Sequence, residues 1–282
     1  MESTADLRRG LRWGTYRKFL KTDCCEKPRS VDEQQHGGDT GGLIRYTEDV
    51  GASFMNRILT CVVTSPLGRP LHTFQSPSEL LRVFHDAIKC HRSLYHDAGI
   101  LHQDVSAGNI IILDGEDEEK PKGILIDLDS AIELANREEA ESNIVGTRLF
   151  LAIGVINTDN HTYRHDLESF LYLFLWTIIT NRSECLPKTS RLRRWRNGDW
   201  DELAMCKSLD MKQDDFERIL EEFPLDFSPL KPLARDLRQI LFPLRDGVLW
   251  TGTDDSPEGT ARLYDEITQA FEEIIASLRG CQ

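Results

Sequence analysis

The sequence predicts an α+β fold that is mainly helical in its second half. Two short apolar runs, Ile110 to Leu113 and Gly123 to Ile126, have the length and composition of buried strands. The run from Asp166 to Thr180 is apolar on nearly all sides, which in a soluble protein indicates a helix at the centre of a core. Amphipathic segments separated by prolines follow it: Asp199–Leu209, Asp214–Phe223, Pro232–Phe242 and Thr260–Arg279.

The first part of the chain has little periodic pattern. A polar, glycine-rich tract from Cys24 to Gly42 separates two weakly patterned pieces. The run from Arg57 to Thr64 indicates a buried strand, and residues 66–74 indicate a turn with a short extended piece. We therefore predict a poorly patterned segment over residues 1–56 and a folded domain over residues 57–282.

A long helix is predicted ahead of the two central strands. Ser76 or Ser78 can cap its N-terminus, Glu79 suits its first turn, and Gly99 ends it. The spacing of three and four residues is shared by Leu80, Leu81, Phe84, Ala87, Ile88, His91, Leu94 and Tyr95. One face of this helix should therefore enter the core.

Charge and cysteine content limit the possible partners and compartments. The 34 basic and 47 acidic residues give a net charge of −13, which disfavours binding to nucleic acid or to an anionic membrane. We interpret the arginines at 191, 193, 194 and 196 as a solvated helix face. Seven cysteines without a C-x-x-C pair, and no apolar leader, indicate an intracellular protein, cytoplasmic or nuclear, without structural zinc.

The segment LHQDVSAGNIIIL, from Leu101 to Leu113, carries the residues best suited to chemistry. His102, Asp104 and Asn109 follow the spacing H-x-D-x-x-x-x-N. Phosphoryl transfer needs an acidic residue that orients the nucleophile, and oxygen ligands that hold magnesium on the phosphates. Asp127 follows the next strand, at the place of a metal-binding aspartate. In this order the motifs favour a phosphotransferase site over isolated turn-forming aspartates.

Two further residues are predicted to support this loop. A histidine at the place of His102 is expected to pack and fix the loop rather than act as a base. Asp166, at the start of the buried helix, can accept hydrogen bonds from backbone amides of the loop. A simple favourable charge at a helix N-terminus is the compatible, simpler interpretation of Asp166.

From about Arg57 to Phe242 the chain resembles the fungal-type protein kinase domain family. The similar pieces are the turn at Gly68–Leu71, the loop LHQDVSAGNI, the segment LIDLD, the pair Gly146-Thr147 and the helix HDLESFLYLFLW. The resemblance implies a protein-kinase-like fold, mainly its helical C-terminal lobe with a reduced or degenerate N-terminal lobe. It also implies ATP, magnesium and transfer of the γ-phosphoryl group to a protein Ser/Thr hydroxyl. Asp104 and Asn109 would be catalytic, and Asn109 and Asp127 would hold the magnesium nucleotide.

Several positions depart from the family pattern. Gln103 replaces the arginine of H-R-D and cannot pair strongly with a phosphorylated segment. Ala152-Ile153-Gly154 lacks the glutamate of A-P-E, so weaker anchoring of the preceding segment is expected. The glycines at 37, 38, 41 and 42 do not form G-x-G-x-x-G, and neither Lys18 nor Lys21 is followed by a helix with a partner glutamate.

These departures leave the activity open. An active protein kinase, a catalytically impaired pseudokinase that acts as a protein-interaction module, and a small-molecule phosphotransferase of the aminoglycoside or choline kinase type all remain hypotheses. A protein substrate or protein partner is expected in the first two cases.

Overall fold

The computed structural model describes residues 67–115, 120–139, 144–157 and 159–280, together with the strands β1 (Arg17–Lys18) and β2 (Val62–Val63). The chain divides into two compact units, Met1–Pro66 and Leu67–Gln282. In the first unit β1 and β2 pair antiparallel, with Lys18 opposite Val62. Lys18 therefore lies in a strand.

The other features predicted in the first unit lie outside the described residues. They are the remainder of the strand at Arg57–Thr64, the tract Cys24–Gly42 with its glycines, and Lys21. The division into residues 1–56 and 57–282 therefore stays a prediction.

The second unit confirms the predicted α+β class. Its described residues form seven α-helices: α1 (Pro77–His96), α2 (Ile153–Ile156), α3 (Tyr163–Thr180), α4 (Trp200–Asp210), α5 (Gln213–Leu220), α6 (Lys231–Leu241) and α7 (Pro257–Gly280). The strands are β3 (Gly68–Pro70), β4 (Ile100–Leu101), β5 (Ile110–Leu113), β6 (Gly123–Leu125), β7 (Ile132–Glu133), β8 (Leu244–Arg245) and β9 (Val248–Leu249). All pairings are antiparallel, in the sheets β3-β5-β6, β4-β7 and β8-β9.

The two predicted central strands are β5 and β6, and they pair with each other. Ile111 lies opposite Ile124 in their register. At the start of β6 the sheet touches α1 so closely that a Cβ on Gly123 would lie 2.1 Å from the carbonyl oxygen of Val83. Only glycine permits this approach, which brings the sheet against the helix that supports the site.

Helix α1 begins as predicted. The side chain of Ser76 accepts a hydrogen bond from the backbone N–H of Glu79 at 3.1 Å, which satisfies a donor at the helix N-terminus. Arg69 of β3 forms ion pairs with Glu79 and, at 2.8 Å, with Asp114 after β5. The arginine of the Gly68–Leu71 turn thus ties the three-stranded sheet to α1.

Helix α3 is the central helix of the second unit, and all of its residues are buried. It begins at Tyr163, three residues before the predicted start at Asp166. The reason is local, because the imidazole Nδ1 of His165 accepts the backbone N–H of Thr162 at 3.1 Å and so caps the helix one turn earlier. Burial lowers the pKa of His165 to about 4, so the ring is neutral and free to accept.

The predicted C-terminal helices are α4 to α7, each within a few residues of its predicted bounds. Helix α7 returns to the core, where the ring of Phe271 lies against those of Phe84 in α1 and Phe174 in α3, with centroids 6.4 and 5.8 Å away. Among the described helices, none combines the length and apolar character that crossing a membrane requires. The last helix of the chain thus packs against the two helices nearest the candidate site.

Candidate active site

The predicted loop connects β4 to β5 and is closed by a short 3-10 helix, Ala107–Asn109. Its first turn depends on Gln103, whose φ of +67° lies in the left-handed region. The carbonyl of Asn109 accepts the N–H of Ile126 at 2.8 Å. Since Asp127 is the next residue, this bond brings Asn109 and Asp127 to the same end of the β5-β6 pair.

Asp166 is completely buried and accepts hydrogen bonds from two backbone amides of this loop. The N–H groups of His102 and Gln103 each lie 3.2 Å from its Oδ2, which matches the predicted contact. Such bonds to an ionised carboxylate are stronger than bonds between neutral groups. Asp166 therefore fixes the loop at Gln103, the residue with the left-handed backbone conformation.

Two histidines that the sequence analysis did not assign to the site complete the environment of Asp166. His91 Nε2 donates to Oδ2 at 2.9 Å, and His161 Nε2 donates to Oδ1 at 2.8 Å. Burial alone would raise the pKa of Asp166, but the charge and hydrogen bond of His161 and the hydrogen bond of His91 hold it well below its ordinary value. Asp166 is therefore a buried charge that is fully hydrogen-bonded.

The network continues from α1 to the C-terminal helix. The hydroxyl of Tyr264 in α7 is hydrogen-bonded to Nδ1 of His91 at 2.8 Å, and Tyr264, His91 and Asp166 are all buried. Three helices thereby hold the loop through one path of hydrogen bonds.

His102 is buried and serves the loop, as expected for a packed residue. Its Nε2 donates to the carbonyl of Ile126 at 3.0 Å, and its Nδ1 accepts the N–H of Asp104 at 3.3 Å. Burial lowers the pKa of His102, which keeps the ring neutral and both bonds intact. The imidazole joins the loop to the strand end that precedes Asp127.

The carboxylate of Asp104 is held on both oxygens. Its Oδ1 accepts the N–H and the hydroxyl of Thr147 at 2.8 and 2.7 Å, and its Oδ2 accepts the side-chain amide of Asn109 at 3.0 Å. The same amide donates to the carbonyl of Asp104 at 2.8 Å. Asp104 is thus oriented by the Gly146-Thr147 pair and by Asn109, and its Oδ2 keeps capacity for another donor.

Asn109 and Asp127 have the oxygen atoms that magnesium prefers. The amide nitrogen of Asn109 is engaged with Asp104, which leaves its carbonyl oxygen as the available atom. Asp127 is exposed, has a φ of +68°, and uses Oδ1 to accept the N–H of Asp129 at 3.2 Å. Magnesium is commonly held by one or two carboxylates together with nucleotide phosphates. The donor set therefore fits the metal, although the described residues contain no group of three His, Cys, Asp or Glu residues able to hold one.

The segment before α3 is anchored, contrary to the weak anchoring expected from Ala152-Ile153-Gly154. Glu168, buried in α3, accepts the N–H of Ile153 at 2.7 Å and forms an ion pair with Arg164 at 2.7 Å. Lys207 of α4 is also buried and donates to the carbonyls of Leu149 and Leu151. A glutamate and a lysine from outside the segment thus hold its backbone.

Gly154 fits this arrangement for a steric reason. A Cβ at this position would lie 2.4 Å from Nε2 of His165 and 2.9 Å from a carboxylate oxygen of Asp159. A side chain would therefore collide with the imidazole that caps α3.

The arginine-rich run is only in part the solvated helix face that we predicted, since Arg193 and Arg196 are exposed but Arg191 and Arg194 are not. Arg191–Arg196 is a 3-10 helix, and Arg191 and Arg194 both form ion pairs with Asp210, a fully buried carboxylate at the end of α4. The indole N–H of Trp195 also donates to Asp210, at 2.8 Å. The local sequence could not reveal this partner, which lies in another element.

Comparison with known proteins identifies one family. A family model described as fungal protein kinase matches residues 1–178. The match includes the N-terminal residues that lie before the resemblance noted at Arg57, and it ends within α3. A search of curated proteins finds no match to the chain.

Proposed function

The chain belongs to the fungal protein kinase family, and from this premise we propose that it transfers the γ-phosphoryl group of magnesium ATP to Ser or Thr hydroxyls of a protein. The observation that carries the proposal is the arrangement of Asp104, whose carboxylate is oriented by Thr147 and Asn109 in a loop fixed by Asp166. We further propose that the second unit corresponds to the helical lobe of a protein-kinase-like fold.

Each residue has a distinct role in this proposal. Oδ2 of Asp104 accepts the hydrogen bond, and then the proton, of the attacking hydroxyl. The carbonyl oxygen of Asn109 and the carboxylate of Asp127 would hold magnesium. Bound magnesium ATP supplies the phosphoryl group and the positive charge that stabilises its transfer. Because His102 and Asp166 fix the loop, Asp104 needs little reorganisation when substrate binds.

A thermal melt tests nucleotide binding. A ligand at 100 times its dissociation constant stabilises the folded state by about 2.7 kcal/mol. We expect magnesium ATP to raise the melting temperature of the full chain, and we expect the gain to shrink with EDTA and in Asp127→Asn. The exposed Asp226, for which the structure shows no side-chain partner among the described residues, offers the matched control Asp226→Asn. An unchanged melting temperature at millimolar magnesium ATP would refute the proposal.

Phosphate incorporation tests catalysis. Removing a general base typically costs about 10²- to 10⁴-fold in rate. Asp104→Asn should therefore lose nearly all transfer to a protein substrate, while Asp226→Asn keeps the wild-type rate. Equal rates for Asp104→Asn and the wild type would eliminate Asp104 as the acidic residue of the mechanism.

One observation favours the pseudokinase alternative. Within the ranges described in the second unit, no lysine or arginine forms an ion pair with Asp104 or Asp127. A protein that binds a partner through its helical unit, yet shows neither magnesium ATP binding nor transfer, would fit this alternative.

A further inference from the structure

A cavity of about 300 Å³ lies beside the candidate catalytic loop. Its lining includes Ala107, Thr147, Arg148, Phe150, Trp176 and Arg196. Ala107 belongs to the loop itself, and the hydroxyl of Thr147 donates to Asp104 at 2.7 Å. A group bound in this cavity would therefore lie next to a hydroxyl held by Asp104.

Arg148 is fixed in the wall of the cavity. Its Nη2 lies within hydrogen-bonding distance of the carbonyls of residues 197, 198 and 199, at 3.1, 2.7 and 3.1 Å. Its guanidinium lies 4.5 Å from the ring centroid of Trp200. None of these partners carries a negative charge, and the buried Nε of Arg148 has no partner among the described residues. The positive charge of Arg148 is thus held in place without being neutralised.

Arg196 adds a second positive charge that is free to bind an anion. Arg191 and Arg194 of the same 3-10 helix pair with Asp210, and Arg193 donates to the carbonyl of Leu186. Arg196 is exposed, and the structure shows no hydrogen bond or ion pair for it within the described residues. It therefore differs from the other arginines of this helix.

The rest of the lining agrees with an anionic ligand. No acidic residue belongs to the lining of the cavity, although the chain as a whole carries a net charge of −13. Trp176 is only 7% exposed, and its indole N–H has no hydrogen-bond partner among the described residues. An unpaired buried donor is costly, and an oxygen atom of a bound ligand could satisfy it.

We propose that this cavity binds an anionic side chain of a peptide substrate, a carboxylate or a phosphate, next to the hydroxyl that accepts the phosphoryl group. The inference rests on the proposed function for the identity of the ligand as a substrate. It adds the substrate class, namely Ser or Thr residues with a neighbouring acidic or phosphorylated residue. The side chain of Arg148, which is held by its hydrogen bonds, and the exposed side chain of Arg196 would both pair with the anion.

Peptide binding to the full chain tests the proposal without requiring catalysis. Short fluorescent peptides with a central serine would carry glutamine, glutamate or phosphoserine at a neighbouring position, and fluorescence anisotropy would give their dissociation constants. We expect the glutamate and phosphoserine peptides to bind more tightly than the glutamine peptide. Arg196→Gln should raise the dissociation constants of the anionic peptides by about fivefold, the upper end of the range for an exposed ion pair. High salt should reduce the preference of the wild type for the anionic peptides.

Arg279→Gln is the matched control, since Arg279 is also exposed and lies in α7, outside the cavity lining. It removes the same charge and should leave the preference unchanged. Equal affinities for the three peptides, an absence of binding up to millimolar protein, or equal effects of Arg196→Gln and Arg279→Gln would overturn the inference. If only the phosphoserine peptide binds more tightly, the anion recognised is a phosphate. If only the glutamate peptide binds more tightly, the anion recognised is a carboxylate.

The outcomes separate this inference from the proposed function. If the wild type prefers anionic peptides, Arg196→Gln abolishes this preference and no phosphoryl transfer is seen, the anion site is supported and the kinase activity is refuted. If the protein phosphorylates serine peptides at rates that do not depend on the neighbouring charge, and binds them with equal affinity, the kinase activity is supported and the anion site is refuted.

Discussion

Replacing Asp166 by asparagine should destabilise the protein strongly while leaving its shape unchanged. The carboxylate accepts four hydrogen bonds, from the side chains of His91 and His161 and from two backbone amides of the loop. An asparagine has one acceptor oxygen, which can face the three donors now at Oδ2. Its NH₂ group must then face His161. One hydrogen bond is lost, and three others lose their charged acceptor.

The expected loss in the free energy of unfolding is about 3 to 5 kcal/mol, the range for removing one partner of a buried charged pair. A domain with a total stability of about 5 to 15 kcal/mol would remain folded in most of this range. Urea denaturation followed by circular dichroism measures the loss. Asp226→Asn, on the surface, should change stability by no more than about 0.5 kcal/mol. A loss below about 1 kcal/mol for Asp166→Asn would refute the reasoning that the buried charge stabilises the loop.

The acid dependence of stability provides a second measurement on the same variant. Since the folded state holds the pKa of Asp166 below the ordinary value of 3.8, its contribution is fully present above about pH 4. It is lost as the pH falls toward the folded pKa, because protonation then becomes part of unfolding. The wild type should therefore lose stability below about pH 4 more steeply than Asp166→Asn. Parallel curves for the two proteins would contradict this assignment.

Three further variants test other parts of the structure by denaturation. Gly154→Ala should lower the free energy of unfolding by about 1 to 3 kcal/mol, because the new Cβ would overpack against His165. Gly108→Ala is the control, since a Cβ at Gly108 would meet nothing within 4 Å and should cause no such loss. Equal losses in the two variants would contradict the steric account. Tyr264→Phe should cost about 1 to 3 kcal/mol because Nδ1 of His91 loses its buried hydrogen-bond partner. An unchanged free energy of unfolding would show that this bond does not stabilise the fold. Burial lowers the pKa of Lys207 from 10.5 to about 7, so the unfolded chain binds the proton more tightly between these values. The free energy of unfolding of the wild type should then rise from pH 7 toward pH 10 relative to that of Lys207→Met. A difference in stability between the two proteins that does not change with pH would exclude the lowered pKa of Lys207.

The sequence predicted most of the elements because their signals are local. The apolar spacing of α1, the continuous apolar run of α3 and the short apolar runs of β5 and β6 all identified their elements within a few residues. The start of α3 lies three residues before the predicted residue, because its cap depends on an unusual partner, His165.

The support around the site could not be predicted in the same way. Asp166 meets His91 across 75 residues of sequence, and His91 meets Tyr264 across 173. Lys207 lies in an amphipathic helix where a lysine is expected in solvent, yet it lies 4.0 Å from the ring centroid of Tyr172. Arg191 and Arg194 were misassigned because their partner lies in α4. In each case one member of the pair is a buried polar residue, and no local pattern identifies its partner.

The Tyr264–His91 bond also bears on how the protein is synthesised. The two residues are 173 positions apart, so at about 5 to 20 residues per second a ribosome needs about 9 to 35 s to pass from one to the other. During that interval the contacts of Tyr264 with His91 and of Phe271 with Phe84 cannot form. These contacts can be made only after α7 has left the ribosome exit tunnel, and a premature stop before Pro257 would yield a chain that contains Asp104, Asn109 and Asp127 but lacks this support.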